Sequence, residues 1–349
     1  MTGNNKKIAI IGHFGGNEDI FDGQTIKTKI LYDELSKATN WKIRKVDTYY
    51  KSHNPVKLLI QSLLTLLATK DVIVMLSGHG MKFYFPLLSF FSRVFGTRVY
   101  HDVIGGNLDS YVKNNPKFKK YLNSFKVNWV ETENLRKKLE TLEITNCEVI
   151  PNFKRLNIAE IDKADYKEPF KFCMFSRVMK EKGVEDAINA IEEINSDAGR
   201  RLCQLDIYGR VDDVYKETFE ALMNDAPPYI QYKGQVPYGK SVEAIKEYYA
   251  LLFPTYWHGE GFPGTIVDAF SAGLPVIATD WSCNGEIIEN EVNGILYPNK
   301  RVKDLNSAIR WAIHNNDNIY RMKFSCIQDA QKYQPDQYIS HIITVIDSN

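Results

Sequence analysis

Two carboxylates frame a glycine turn in this chain: Glu260, then Gly261-Phe262-Pro263-Gly264, then Asp268. The strand-like run LLFPT enters the segment, and a helical pattern leaves it near Gly264–Thr265. A helix starting there leaves the N–H groups of residues 264–267 without helical acceptors, and its macrodipole favours an anion beside them. A carboxylate on either side can accept paired hydrogen bonds from vicinal hydroxyls. Acid, amides, acid is the order that a sugar, a phosphate and a ribose require. Taken alone, the two acids have a plainer reading, as charges that complement the helix dipole. A second segment argues for the ligand. SRVMKEKG (176–183) also follows a strand-like run and offers Arg177, Lys182 and a helix opened by Gly183. Arg forks onto phosphate oxygens and Lys adds a point charge, so the combination suits a diphosphate.

A third loop, GHFGGN (12–17), follows the first strand-like run. Its glycines, Gly15 and Gly16 among them, let the backbone approach a ligand closely. The spacing is not Gly-x-Gly-x-x-Gly and the next helix starts only near Gly23, so the loop is a weak dinucleotide signature. This disfavours a nicotinamide dehydrogenase. His13 and His258 stand beside these loops as secondary candidates.

The elements that must position these loops alternate strand and helix along most of the chain. KKIAIIGHF, WKIRKVDTY, DVIVMLSG, TRVYHDV, VNWV and CEVIPNF read as strands, with helices at 23–38 and 55–69 among the intervening segments. The mostly polar stretch 152–169 lacks an apolar period and reads as a linker. Alternation then restarts with FKFCMFS, CQLDIYG, YIQYKGQV, ALLFPTY, GLPVIATD and GILYP as strands, and VEAIKEYYA among the helices. Such alternation implies parallel sheets with crossover helices, hence an α/β chain of two doubly wound, Rossmann-like domains. The expected domains are 1–165 and 166–331, with a C-terminal helix from about 332 to 349 returning to the first. Ligands of such sheets bind at the carboxyl ends of the strands, which places the working site in a central cleft.

Charge divides unevenly. Residues 1–160 hold 24 Lys and Arg against 15 Asp and Glu, and the remainder 20 against 28. The whole chain nets +1 and has no basic–aromatic motif, which disfavours nucleic acid as a partner. The five cysteines (147, 173, 203, 283, 326) are scattered without a Cys-x-x-Cys, which points to a reducing compartment and away from a zinc site. No run is apolar enough for a signal peptide or a membrane span, so a cytoplasmic location is expected. The segment MKFYFPLLSFFSRVFG (81–96) is apolar and aromatic. On a helix, Tyr84, Leu87, Leu88, Phe91, Val94 and Phe95 share one side, widened by Phe83 and Phe90, with Lys82, Ser89 and Arg93 opposite. It reads either as a buried crossover helix or as a face for the membrane or a lipid-linked acceptor. The basic first half favours the second reading.

The segments EGFP, VDAFSAGLPVIATD, GEIIENEVNGILYP, SRVMKEKG, CQLDIYG, YIQYKGQVP and VIPNF together resemble the retaining glycosyltransferases of family 4 (group 1), over most of residues 100–300. The resemblance implies the GT-B fold, in which two Rossmann-like domains face a cleft. It further implies sugar transfer from a nucleoside-diphosphate sugar, with UDP the most frequent base, to a saccharide or lipid-linked acceptor in bacterial surface polysaccharide synthesis. No metal or other cofactor is implied, and the chain has no Asp-x-Asp tripeptide. Contact with the inner face of the membrane is compatible with such an acceptor. Carried onto this sequence, Arg177, Lys182 and the amides of Gly264, Thr265 and Ile266 neutralise the diphosphate. Glu260, Gly261, Phe262 and Pro263 hold the donor sugar, and Asp268 holds the ribose. His101 in VYHDV matches a histidine placed near the transferred sugar, and Gly15 or Gly16 approaches the phosphate or acceptor. The departure is Asp268, where the family usually has Glu. Two other readings suit the fold, a sugar-nucleotide epimerase and a non-catalytic sugar-nucleotide-binding partner.

Overall fold

The structure, a computed structural model, describes residues 6–18, 22–161, 167–237, 239–298 and 302–348. Two compact units emerge, one running through Asn152 and including the segment from Pro335, the other spanning Phe153–Gln334.

The first unit is built on six parallel strands: β1 (Lys7–Gly12), β2 (Lys42–Asp47), β3 (Asp71–Met75), β4 (Arg98–Asp102), β5 (Val127–Val130) and β6 (Cys147–Val149). Their order is β2-β1-β3-β4-β5-β6. Strand β3 is buried along its whole length and β1 along all but Lys7, as sheets covered on both faces demand. The edge strand β2 carries Lys42, Arg44 and Lys45, charges that discourage pairing with another chain. Three helices matter below: α1 (Gly23–Ala38), α2 (Pro55–Ala68) and α3 (Gly78–Phe95). Asp22 caps α1 by accepting from the Thr25 N–H, and Asn54 caps α2 by accepting from the Lys57 N–H. Gly96, left-handed at φ 68°, ends α3. The C-terminal helix Pro335–Asp347 belongs to this unit, where His341 bonds Glu148 (2.9 Å) and Lys6 donates to the Ile346 carbonyl (2.5 Å).

Helix α3 is neither wholly buried nor sided as its apolar pattern indicates. Met81, Tyr84, Phe85, Leu88 and Phe91 enter the core. Val94 and Phe95, expected beside them, face out with Phe83 and Phe90, each about half exposed. Among the described residues, no helix is long and apolar enough to cross a membrane.

The second unit repeats the plan with β7 (Phe170–Phe175), β8 (Cys203–Tyr208), β9 (Ile230–Gly234), β10 (Ala250–Phe253), β11 (Val276–Thr279) and β12 (Gly294–Tyr297), all parallel. Their order is β12-β11-β10-β7-β8-β9, so the chain reverses direction across the sheet between β7 and β10. Loops at such a reversal splay apart and leave a crevice at the strand ends. The helix expected over VEAIKEYYA stops at Ile245, because Tyr249 turns inward against Phe170 and Phe172 and Ala250 starts β10. The boundary expected at 165/166 falls outside the described residues. The segment before it is no free linker: Phe153 and Leu156 are buried, and the Lys154 and Ala159 amides donate to the Tyr333 and Ser271 carbonyls.

Candidate active site

The loops after β7 and β10, on either side of the chain reversal, carry the cations and the first acid. They are tied to each other. The Tyr256 N–H donates to the Glu181 carbonyl at 2.8 Å, and the Thr265 hydroxyl reaches back to the Phe175 carbonyl. Gly183 ends the first loop at φ 73°, and a Cβ there would lie 2.4 Å from the Pro254 carbonyl oxygen. Only glycine allows both that conformation and that approach.

This contact brings Lys182 to Glu260. Lys182 Nζ lies 2.5 Å from Glu260 Oε2, and the Thr255 hydroxyl donates to the same oxygen at 2.9 Å. Both charged residues are buried, and Lys182 also lies about 5 Å from the Phe253 and Trp257 ring centres. Arg177 differs in being exposed, its guanidinium 6.0 Å from the Trp257 ring centre and 3.7 Å from Asp212. One cation is thus fixed on the acid while the other is exposed, both within about 6 Å of the Trp257 ring centre. Surface exposure leaves Arg177 free to swing onto an anionic ligand at little cost.

The glycine turn is held from behind by three consecutive residues that no motif reading singled out. Trp281 donates its indole N–H to the Trp257 carbonyl (2.9 Å), Ser282 its hydroxyl to the Glu260 carbonyl (3.0 Å), and Cys283 its thiol to the Gly261 carbonyl (3.0 Å). The exposed His258 ring packs edge-on against Trp281. Phe262 corrects an expectation. Its side chain is buried edge-on against Tyr333 and so anchors the turn in the core, leaving only backbone at that position for a sugar. Pro263 precedes the helix Gly264–Ser271, whose N-terminus has no side-chain cap. The Ile266 N–H is spent on the Pro263 carbonyl (3.0 Å), and the Ile266 side chain is fully buried. The amides of Gly264 and Thr265, at the uncapped start, precede any helical acceptor.

Asp268 does not present a free carboxylate. It is 3% exposed, with Oδ2 at 2.5 Å from Lys154 Nζ and Oδ1 accepting from the Ser241 hydroxyl at 2.8 Å. The side chain one methylene shorter than Glu is matched by a lysine from the segment ahead of β7.

In the first unit the structure redistributes the remaining candidates. His101 is fully enclosed between Phe85 and Phe125 and cannot touch a sugar there. Its Nδ1 lies 3.1 Å from Asn128 Oδ1, which accepts, while Nε2 has no partner among the described residues. Burial pushes its pKa down to about 4, so the ring is neutral at ordinary pH. The next residue, Asp102, faces a buried cluster with Lys27 and Glu131, at 2.6 and 2.9 Å from the ammonium. Burial raises the Asp102 pKa and Lys27 partly opposes the rise. The loop after β1 is also engaged internally: the Phe14 and Gly16 amides both donate to Asp47, each at 2.8 Å. Gly15 and Gly16 have positive φ, and a Cβ at Gly16 would lie 2.7 Å from the Tyr49 ring. Their glycines are thus explained by backbone shape, and two of the loop's amides are already bonded to a carboxylate. His13 bonds the Thr25 hydroxyl (2.7 Å) and lines a pocket between α2 and α3.

The profile of the family described as glycosyl transferases group 1 matches residues 158–332, half of the chain. An uncharacterised glycosyltransferase of Methanocaldococcus jannaschii is 24% identical over 177 residues, covering 50% of this chain and 43% of that protein. The GtfA subunit of the UDP-N-acetylglucosamine–peptide N-acetylglucosaminyltransferase of Streptococcus agalactiae is 30% identical over 146 residues, 41% of this chain and 27% of that one. The chain thus spans less than half the length of these curated relatives. Among solved structures, the Anabaena HepE protein in complex with UDP and glucose superposes with a TM-score of 0.75 at 12% identity, covering 99% of this chain and 100% of that one. The sucrose-phosphate synthase of Thermosynechococcus elongatus gives 0.80 at 14% identity, with 98% of each chain covered. These likenesses assign the GT-B fold.

Proposed function

Since the chain belongs to the group 1 glycosyl transferases, we propose that it moves a sugar from a UDP-sugar to a saccharide or lipid-linked acceptor, retaining the anomeric configuration and using no metal. The observation that carries this reading is the meeting of Lys182, Glu260, Arg177 and the uncapped helix start at Gly264 where the second sheet reverses. As the glycosidic bond breaks, negative charge grows on the diphosphate oxygens. Preorganised cations and amides stabilise that charge without rearranging, often the largest single contribution to such catalysis. Arg177 and Lys182 supply the cations, and the Gly264 and Thr265 amides supply fixed donors. Glu260, held by Lys182 and Thr255, accepts hydroxyls of the donor sugar. The acceptor oxygen attacks from the face that the diphosphate leaves, and a phosphate oxygen takes its proton, so no protein base is required. Asp268 serves the ribose side from the Lys154–Asp268–Ser241 cluster, where each carboxylate oxygen keeps acceptor capacity for a ribose hydroxyl beside its bond to the protein. His101 has no part in this scheme.

UDP is favoured because HepE was solved with UDP and glucose and the GtfA subunit is named for a UDP-sugar. A lipid-linked acceptor, as in surface polysaccharide synthesis, with peripheral contact at a membrane face is supported by the outer sides of α2 and α3. Val56, Ile60, Leu64 and Leu67 are exposed there with Phe83, Phe90, Val94 and Phe95. Large apolar side chains exposed in such number on two helices favour an interaction site.

A thermal-shift screen of UDP-, GDP-, dTDP- and ADP-sugars tests the donor assignment. A ligand at 100 times its Kd stabilises the folded state by about 2.7 kcal/mol. A shift confined to UDP-sugars is expected, and no shift with any of them would refute the reading. Incubation with donor alone separates an epimerase, which would interconvert the sugar nucleotide without acceptor.

A further inference from the structure

We propose that the pocket between α2 and α3 of the first unit binds the apolar chain of a phosphate-headed lipid, the acceptor of the transfer reaction. The proposal rests on the transferase reading above and names the acceptor class for it. The pocket encloses about 360 Å³, within the range of small-molecule sites. It opens where ligands of doubly wound sheets bind. His13 follows β1, Thr48 follows β2 and Leu76 follows β3, and the strand order reverses between β1 and β3.

The walls decide what fits. Val56 and Leu59 come from α2, Leu76 from the end of β3, and Phe83 from α3. Two of the polar side chains that line it are engaged with the protein. The Tyr84 hydroxyl pairs with Ser62 at 2.9 Å, and the Gln24 amide donates to the Met75 carbonyl at 3.4 Å. A free saccharide would leave its hydroxyls unpaired against such walls, at a cost an alkyl or prenyl chain does not incur. The rim is different. Lys51, His13, His79 and Tyr84 are the titratable groups among the described residues that line the pocket, and none of these residues is a carboxylate. From residue 48 to residue 101 the chain holds one acid, Asp71, which is buried beneath Arg98. A mostly apolar interior with the Lys51 ammonium at its rim is complementary to an anionic amphiphile. The path inward is also apolar. Val56, Leu59 and Phe83 are 67%, 39% and 52% exposed, and the row continues outward along α2 through Ile60, Leu64 and Leu67.

Farnesyl phosphate, kept below its aggregation threshold, is the probe, titrated into the full chain by calorimetry. Saturable binding of one probe per chain is expected. Phe83→Asp and Val56→Asp should each weaken it about tenfold, because a carboxylate then faces both the chain and the phosphate. Both positions are exposed, and circular dichroism verifies that the variants fold. Lys51→Met should weaken farnesyl phosphate more than farnesol. Absence of saturable binding, or binding unchanged in both Asp variants, overturns the proposal. So does full competition by inorganic phosphate, which would reduce the site to its rim. So does binding seen only when the probe is held in phosphatidylcholine–phosphatidylglycerol vesicles, which would assign the face to the bilayer. The nucleotide-sugar thermal shift of the wild-type chain separates the two failures: intact, it leaves the transferase reading standing while the pocket proposal falls.

Discussion

Replacing Lys154 with Met removes one partner of a buried ion pair and leaves the other in place. Lys154 Nζ and Asp268 Oδ2 are 2.5 Å apart, with side chains 11% and 5% exposed. At an effective dielectric constant near 20, their gross attraction is about 7 kcal/mol. Desolvation of both charges offsets most of it, but the single substitution recovers only the desolvation of the lysine. Asp268 stays buried with the Ser241 hydroxyl as its remaining bond of those described above, so Lys154→Met should destabilise the second unit by about 3–5 kcal/mol. Adding Asp268→Asn removes the uncompensated charge, and the double variant should be more stable than Lys154→Met alone. Urea unfolding read by tryptophan fluorescence measures both, since Trp257, Trp281 and Trp311 all lie in that unit. A cost below about 1 kcal/mol, the range of exposed pairs, would refute the reasoning. So would strictly additive single variants, since coupled neighbours depart from additivity.

Arg177→Ala and Lys182→Ala should each abolish most turnover, but Lys182→Ala should also lower the unfolding midpoint, since Glu260 loses its buried partner; near-wild-type rates in either would return that cation to a structural role. Gly183→Ala, which combines φ 73° with a carbonyl at 2.4 Å, should cost about 1–3 kcal/mol or more and reduce kcat by displacing Lys182, as steady-state kinetics and urea midpoints would show. His101 titrates at about 4 in the folded chain against an ordinary 6.5. The unfolded chain therefore binds more protons between those values. Stability should be fully present above pH 6.5 and fall by about 3 kcal/mol as pH drops towards 4. His101→Gln should flatten that part of the profile in pH-resolved urea titrations, whatever its effect at pH 7.

The features legible in the sequence share one property: their information lies within a few residues of chain. Helices α1 and α2 start at Gly23 and Pro55 because caps at Asp22 and Asn54 and the apolar spacing behind them are contiguous. The loop SRVMKEKG and the turn at Glu260 were recognisable because strand, glycine and charge follow one another directly. Asp268 was recognisable as unusual for its type, but not as paired, because Lys154 is 114 positions away and Ser241 is 27. Likewise Trp281, Ser282 and Cys283 bond carbonyls, which every residue carries, so no residue type announces their partners.

Sequence alone determined the alternation of strand and helix, and with it two parallel sheets, because period and turn chemistry are local. It also determined which loops carry cations and acids at strand ends. Tertiary structure decided which of those groups are available. It placed Lys182 on Glu260, occupied Asp268 and the loop after β1 with protein partners, enclosed His101, and turned Phe90, Val94 and Phe95 outward. Availability depends on what packs against a side chain from elsewhere in the chain, and burial and charge pairing between distant segments arise only when the sheets bring them together.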